Sequence, residues 1–344
     1  VYIGGKMIRG LNLGGWLVLE KWMTPELFEG TDAIDEYHLL DALGDQKETI
    51  IKHHRETFIT LEDFKWIKAH GINTVRLPLG HWTFTAPGPY IEAKAFVDLV
   101  FEWANEVGLD VVLDVHAAPG CQNGFDNGGL SGVCEWHKDD VNIKSTLMFI
   151  KDLCQHYKDQ PRLSGIQVLN EPRWDIPLDL LESFYLDSYR LIRTHCSKDV
   201  TVIFHDAFRL DVWRPFFTTH PFENVILDTH MYQVFSHNDS KRHMHEVVEK
   251  VVSKRLHELS AVMPYVNVIV GEWSLGIHDY ALKEVTNDVE KNAFYRAVGN
   301  GLLMTFEKTS GWFFWSYKLS EEATKKRVGW SFKDVIEKQY ICLI

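Results

Sequence analysis

The chain has 344 residues, 45% hydrophobic and 13% aromatic, and its 36 Lys and Arg stand against 48 Asp and Glu for a net charge of −12. The length suffices for one large core of the α/β-barrel kind, and the acidic balance argues against nucleic acid, whose binding relies on basic surface. No apolar run reaches the ~18 residues of a membrane-spanning helix, so no membrane span is expected.

Cys121, Cys134, Cys154, Cys196 and Cys342 are odd in number, scattered, and lack a C-x-x-C pair. Neither a zinc site nor a dense disulfide framework is expected. Cys121 and Cys134 share a loop and are candidates for a bridge, while Cys154 and Cys196 fit as small buried hydrophobes. No charged-then-apolar leader precedes Val1, and a start at Val is compatible with a removed one, so secreted and cytoplasmic locations both stand.

In chain order, 7–13 is a first strand, followed by Gly14-Gly15 and a long irregular loop to about Glu56, of the kind more often functional than idle. Thr60-Leu-Glu-Asp63 predicts a capping box opening a helix that ends at His70-Gly71, and a second strand spans 72–77. Apolar positions 93, 96, 97, 100, 103, 104 and 107 trace one helical face, Gly108 stops it, and 109–115 is a third strand. Ile143, Leu147, Ile150, Leu153, Cys154 and Tyr157 mark the next helix. The strand opening at Gly165 then delivers Asn170 and Glu171 onto Pro172, which cannot donate to a ladder. Helices are predicted at 178–195, more weakly at 208–217, around Val248 to Leu259, and at 285–307. Strands are predicted at 200–204, 224–228, 266–270 and 311–315, with Glu272 just past the seventh. Eight short, apolar strands alternating with helices describe a parallel sheet covered on both faces. No G-x-G-x-x-G turn follows the first strand, so the expectation is α/β, a closed (β/α)8 TIM barrel, as a single domain over 1–344.

Such barrels gather chemistry at the C-terminal face. There this sequence sets Asn12, Arg76, Asp114 and His116, Asn170 and Glu171, His205 and Asp206, Asp228 with His230 and Tyr232, Glu272, and Trp315. Each alone is equally at home as a solvated loop residue, but a ring holding two glutamates after the fourth and seventh strands fits glycoside hydrolysis. One carboxyl protonates the leaving oxygen and the other attacks or activates water. Arg76 would hold Glu272 ionised as the nucleophile, and a hydrophobic or like-charged setting would keep a proton on Glu171 as acid/base. Asn170 is suited to a sugar hydroxyl, and Trp273 offers an apolar face that lifts a carboxyl pKa or stacks on a sugar. Two other readings are weaker. Asp114-Val-His116 and Asp228-Thr-His230 suggest a metal-dependent hydrolase, but the first strand lacks the His-x-His of such barrels; a non-catalytic carbohydrate-binding barrel should have replaced its glutamates, and both are present. No metal or cofactor is expected.

Six stretches carry a family resemblance: Arg9-Gly-Leu-Asn-Leu-Gly-Gly-Trp-Leu-Val-Leu-Glu20, Asn73-Thr-Val-Arg-Leu-Pro78, His116-Ala-Ala-Pro-Gly-Cys-Gln-Asn-Gly-Phe-Asp-Asn-Gly129, Leu169-Asn-Glu-Pro172, His230-Met-Tyr-Gln-Val-Phe235 and Gly271-Glu-Trp273. With them the chain resembles glycoside hydrolase family 5, a retaining clan-A group of (β/α)8 enzymes, and within it the exo-β-1,3-glucanase branch. The resemblance implies Glu171 as acid/base and Glu272 as nucleophile, with Arg76, His116, Asn170, His230, Tyr232 and Trp315 around the first sugar. It implies that Glu20, Asp126 and Asn127 grip the terminal glucose and that Phe125 and Phe235 clamp the next sugar at the mouth. A monomer acting on a β-glucan or β-glucoside is expected, with an endo-β-glucanase or a β-glucosidase for small or lipid-linked glucosides as the alternatives. Ala117-Ala118-Pro-Gly-Cys121 departs from the family's usual Gly-Ala-Pro-Gly-Ser, and 130–136 has no counterpart in it.

Overall fold

In a parallel sheet covered on both faces, alternation decides which residues turn inward. A computed structural model describes residues 7–283 and 285–343. Its strands are β1 (Ile8–Asn12), β2 (Thr74–Gly80), β3 (Asp110–Ala117), β4 (Leu163–Gln167), β5 (Thr201–His205), β6 (Val225–His230), β7 (Asn267–Trp273) and β8 (Gly311–Phe314). They pair in parallel in sequence order, and β8 returns to β1 to close the barrel. Ile8, Val112, Ile203, Ile226, Ile269 and Phe313 pack together as one buried cluster. Two residues further along β3, β5 and β6 come Asp114, His205 and Asp228, and just past the end of β8 comes Trp315. Three of the inward columns thus turn from aliphatic to polar toward the C-terminal face, which places the chemistry at one end.

The outer layer includes helices at Leu61–Ala69, Lys94–Val107, Asp140–Tyr157, Leu178–His195 and Asp288–Phe306. The Thr60–Asp63 capping box forms, and Gly108 ends its helix at φ 76°, a left-handed conformation that glycine adopts without strain. Trp273, on β7, packs into this layer against Phe306, Trp312 and Phe314. The expectation that it lines a sugar site is therefore corrected: it is fully buried on the opposite side of the strand from the site.

Other expectations are also revised. The long irregular loop contains two helices, Glu36–Leu43 and Lys47–Phe58. Buried Asp35 caps the first by accepting from the His38 N–H, and its other oxygen accepts from the Ser131 N–H. The predicted 208–217 helix is a 3-10 turn, Leu210–Trp213, running into Arg214–Thr219. The Val248–Leu259 helix is broken by a π turn at Lys250–Lys254. Short helices at Asp279–Leu282, Glu321–Lys326 and Phe332–Glu337 have too few residues to show a period. Strand β4 stops at Gln167, so Asn170 and Glu171 lie in the segment beyond it, while β7 runs on through Glu272.

Strict alternation would put Glu272 on the same outer face as Val270. The register between β7 and β8 slips between Val270 and Trp273, and that between β6 and β7 slips at His230. The extra residue of this bulge turns Gly271 and Glu272 both inward and leaves Trp273 outside. Gly271 is required there, because a Cβ would stand 2.1 Å from Asp228 Oδ2. Gly271→Ala should cost about 3 kcal/mol through overpacking; urea unfolding checks this, and a wild-type midpoint would show that the carboxylate is not wedged against that backbone.

Candidate active site

Arg76, fully buried on β2, is the hub of the C-terminal face. Its Nε donates to Gln167 Oε1 at 2.8 Å, its Nη1 to Asn12 Oδ1 at 2.7 Å and Glu272 Oε1 at 3.1 Å, and its Nη2 to Asn170 Oδ1 at 2.7 Å. Asp114 Oδ2 lies 3.1 Å from Nη2. A buried guanidinium with every arm engaged is a rigid template, and it fixes Glu272 from one side. From the other side the Tyr232 hydroxyl donates to Glu272 Oε2 at 2.7 Å.

Glu171 sits just before Pro172 at φ 44°, a left-handed backbone that is uncommon for a residue with a side chain. Its Oε1 is 2.7 Å from His230 Nδ1, and its Oε2 accepts from Asn127 Nδ2 at 3.0 Å. His230 Nδ1 is also 3.4 Å from Glu272 Oε2. Glu171 Oε1 and Glu272 Oε2 are thus no farther apart than these two distances laid end to end, about 6 Å, short of the ~6.5–9.5 Å of inverting carboxyl pairs.

Electrostatics distributes the charge otherwise than the sequence suggested. Burial alone would raise Glu171, but the hydrogen bond and charge of His230, with smaller help from His205 and Asn127, bring it down to about 2. Burial raises Glu272, reinforced by Glu171 and opposed by His230, Arg76 and His116. The expectation that a hydrophobic or like-charged setting keeps the proton on Glu171 is corrected. His230 is what reverses it, since it bonds Glu171 directly and is held well above its ordinary pKa by the carboxylates around it.

His116, Trp315 and Asn170 lie at the same end of the barrel. His116 Nδ1 is 2.6 Å from Asp114 Oδ2, and its ring stacks on Trp315 at 5.4 Å with planes 8° apart. Asn170 is fixed by Arg76 and by Gln122, whose Nε2 donates to the Asn170 carbonyl at 2.9 Å.

The sequence matches the family described as Cellulase (glycosyl hydrolase family 5) over residues 46–320. It is 36% identical to a glucan 1,3-beta-glucosidase of Blumeria graminis, covering 95% of this chain and 85% of that one, and 30% identical to glucan 1,3-beta-glucosidase 1 of Schizosaccharomyces pombe, covering 90% and 83%. The chain belongs to glycosyl hydrolase family 5. As a solved fold, the rutinosidase from Aspergillus niger superposes with a TM-score of 0.83 at 19% identity, over 99% of each chain, and Thermotoga maritima Cel5A with 0.56 at 17%, over 97% of each.

This family 5 glycoside hydrolase carries Glu20, Phe125, Asp126 and Phe235 in the segments between its strands and long helices. Glu20 is buried and accepts from Trp22 Nε1 at 2.8 Å; burial and the charges of Asp126, Glu272 and Glu171 raise its pKa well above the usual carboxylate range. Burial likewise raises Asp126. Phe125 and Phe235 are 39% and 73% exposed. Phe235 meets Tyr232 and Trp330, and Trp330 meets Trp22, making an aromatic wall, but among the described residues no ring contact joins Phe125 to Phe235. The 130–136 segment folds back on its own loop, with Gly132 N–H donating to Gly124 O and Glu135 N–H to Gly120 O. Tyr37 N–H donates to Gly129 O, tying that loop to the Glu36–Leu43 helix. Cys121 and Cys134 stand as free thiols.

Four residues of the enzyme's site were not singled out from sequence: Gln122, Gln167, Trp22 and Trp330. Only contacts reveal them. Glu171, His205 and His230 bring one potential ligand atom each within 4.8 Å of one another. The Ala207 N–H donates to His205 Nδ1 at 3.0 Å, which leaves the proton of that ring on Nε2, and both His230 nitrogens face carboxylates. The two imidazoles of this trio thus present protons where a metal needs lone pairs.

Proposed function

We propose that this enzyme is a retaining exo-β-1,3-glucanase that releases glucose from non-reducing ends, with Glu272 as nucleophile and Glu171 as acid/base. The observation that carries the reading is the short separation of the two carboxyls across His230, which leaves no room for a water on the opposite face and supports double displacement. Glu272 attacks C1 as Glu171 protonates the leaving oxygen; water then enters from the vacated side with Glu171 as base. Arg76 and Tyr232 orient the nucleophile, and Asn170, His116 and Trp315 face the first sugar.

Exo action is supported by Glu20 together with Asp126 and Asn127. Glu20 is a buried carboxyl whose pKa burial and the neighbouring carboxylates raise, and with Asp126 beside it the pair suits the hydroxyls of a terminal glucose. Phe125 and Phe235 are exposed for the sugars that follow. The glucan 1,3-beta-glucosidase names of the fungal relatives support the β-1,3 linkage. The test is the product profile from a β-1,3-linked glucose hexamer, with the anomer read early by NMR. Glucose alone, appearing first as the β-anomer, is expected; mixed oligomers would assign endo action, and an early α-anomer would overturn retention.

A further inference from the structure

Asp228 has no part in the two-carboxylate scheme, yet the site is built around it. It is fully buried. Its Oδ1 accepts from the Gly271 N–H at 2.6 Å, and its Oδ2 accepts from Gln167 Nε2 at 2.8 Å and faces His230 Nε2 at 3.2 Å. The other nitrogen of the same ring, Nδ1, faces Glu171 Oε1 at 2.7 Å. A neutral imidazole has one N–H, and here each nitrogen meets a carboxylate oxygen. The row Asp228–His230–Glu171 must therefore hold one proton more than a neutral ring supplies. Asp228 already receives N–H donors on both oxygens, so the extra proton lies between His230 Nδ1 and Glu171.

We propose that Asp228 is a positioning residue that, through His230, stores beside Glu171 the proton that Glu171 delivers to the leaving oxygen. The inference rests on the assignment of Glu171 as acid/base. In glycosylation the Nδ1 proton passes to Glu171 and on to the glycosidic oxygen while the C1–O bond breaks and Glu272 bonds to C1. His230 is left neutral, with its Nε2–H toward Asp228. In the second step water bonds to C1, the Glu272 ester bond breaks, and the proton released by water returns through Glu171 to Nδ1.

The groups facing His230 agree with this. Glu272 Oε2 on β7 is 3.4 Å from Nδ1. His205 on β5 meets the ring edge-on at 4.4 Å and is kept neutral by burial and by its bond from Ala207. Asp206, which accepts from the neighbouring Thr229 hydroxyl, is raised to about 7 by burial, and so adds a full charge only above that range. Arg76 on β2 is joined to Asp228 by hydrogen bonds through Gln167, and its charge also helps to keep Asp228 ionised. Burial works against a charged His230, and Glu272 and Asp228 outweigh it.

The test is carried out on the full chain by 15N NMR of the histidine rings, with pH profiles of wild type, Asp228→Asn and Asp228→Glu. In wild type both His230 nitrogens should still carry protons at about pH 8, where a free histidine, with its pKa of about 6.5, has lost one. Removing the Asp228 charge weakens the hold on that proton, so in Asp228→Asn the alkaline limb of kcat/KM on a β-1,3-glucan oligomer should move down by about one pH unit. On a dinitrophenyl glucoside, whose leaving group needs no proton, the limb should stay in place, and Asp228→Glu should restore it for the oligomer. A neutral His230 in wild type, or equal movement of the limb on both substrates, would overturn the inference. The NMR result stands even if the Asn variant does not fold. Failure of the acid/base assignment would show separately, as an equal loss on both substrates in Glu171→Ala.

Discussion

Glu272→Ala should lose hydrolysis of all β-glucosides by roughly 10⁴-fold or more, as expected when a residue acting within a catalytic unit is removed, while the protein unfolds at its wild-type midpoint. The fold should survive because Arg76 keeps Asp114, Asn12, Gln167 and Asn170 as partners, so no buried charge is left unpaired. Added azide makes the test specific. With the nucleophile gone, azide can take its place on the α face of C1, and the product from an activated β-glucoside should be the α-glucosyl azide. Ordinary turnover by this variant would remove Glu272 from the nucleophile role.

Glu171→Ala should behave differently. Hydrolysis of β-1,3-glucan should fall by about 10³-fold, within the range of general acid catalysis, whereas kcat/KM for a dinitrophenyl glucoside should stay within about tenfold of wild type because that leaving group departs unprotonated. Azide should now intercept the glucosyl-enzyme on the β face and give the β-glucosyl azide. The two variants therefore yield opposite anomers, and the same anomer from both would contradict the division of roles. A comparable loss on glucan and on the activated glucoside would contradict the acid role of Glu171.

The barrel was legible in the sequence because each of its eight strands is a short apolar run, and a parallel strand covered on both faces has no other way to be written. The polar ring was legible for a related reason: residues such as Asp114, His116 and His230 interrupt those runs at their C-terminal ends. Glu272 was found by its place near a strand end, but its orientation was not. Alternation assigns it the outer face, and only the bulge against β6 and β8 turns it inward. The proton balance was also out of reach. It depends on His230 standing between Glu171 and Asp228, and that contact joins segments far apart in the chain. The helices at Glu36–Leu43 and Lys47–Phe58 were hidden because the second is rich in charge. Its Arg55 is buried against Glu36 at 3.9 Å, an arrangement that a hydrophobic period does not register.

Asp35 gives the rim of this site a modular character. One of its oxygens starts the Glu36–Leu43 helix and the other holds Ser131, while Tyr37 is bonded to Gly129, so the segment that follows Glu20 and the segment that carries Phe125 to Asn127 are stitched together at their backs. Substrate range in a lineage built on this plan would change by inheriting the two loops as a matched pair. A graft of either one alone from a relative would arrive without its counterpart's stitches, and specificity engineering on this scaffold should treat them as a single exchangeable cassette above an untouched barrel.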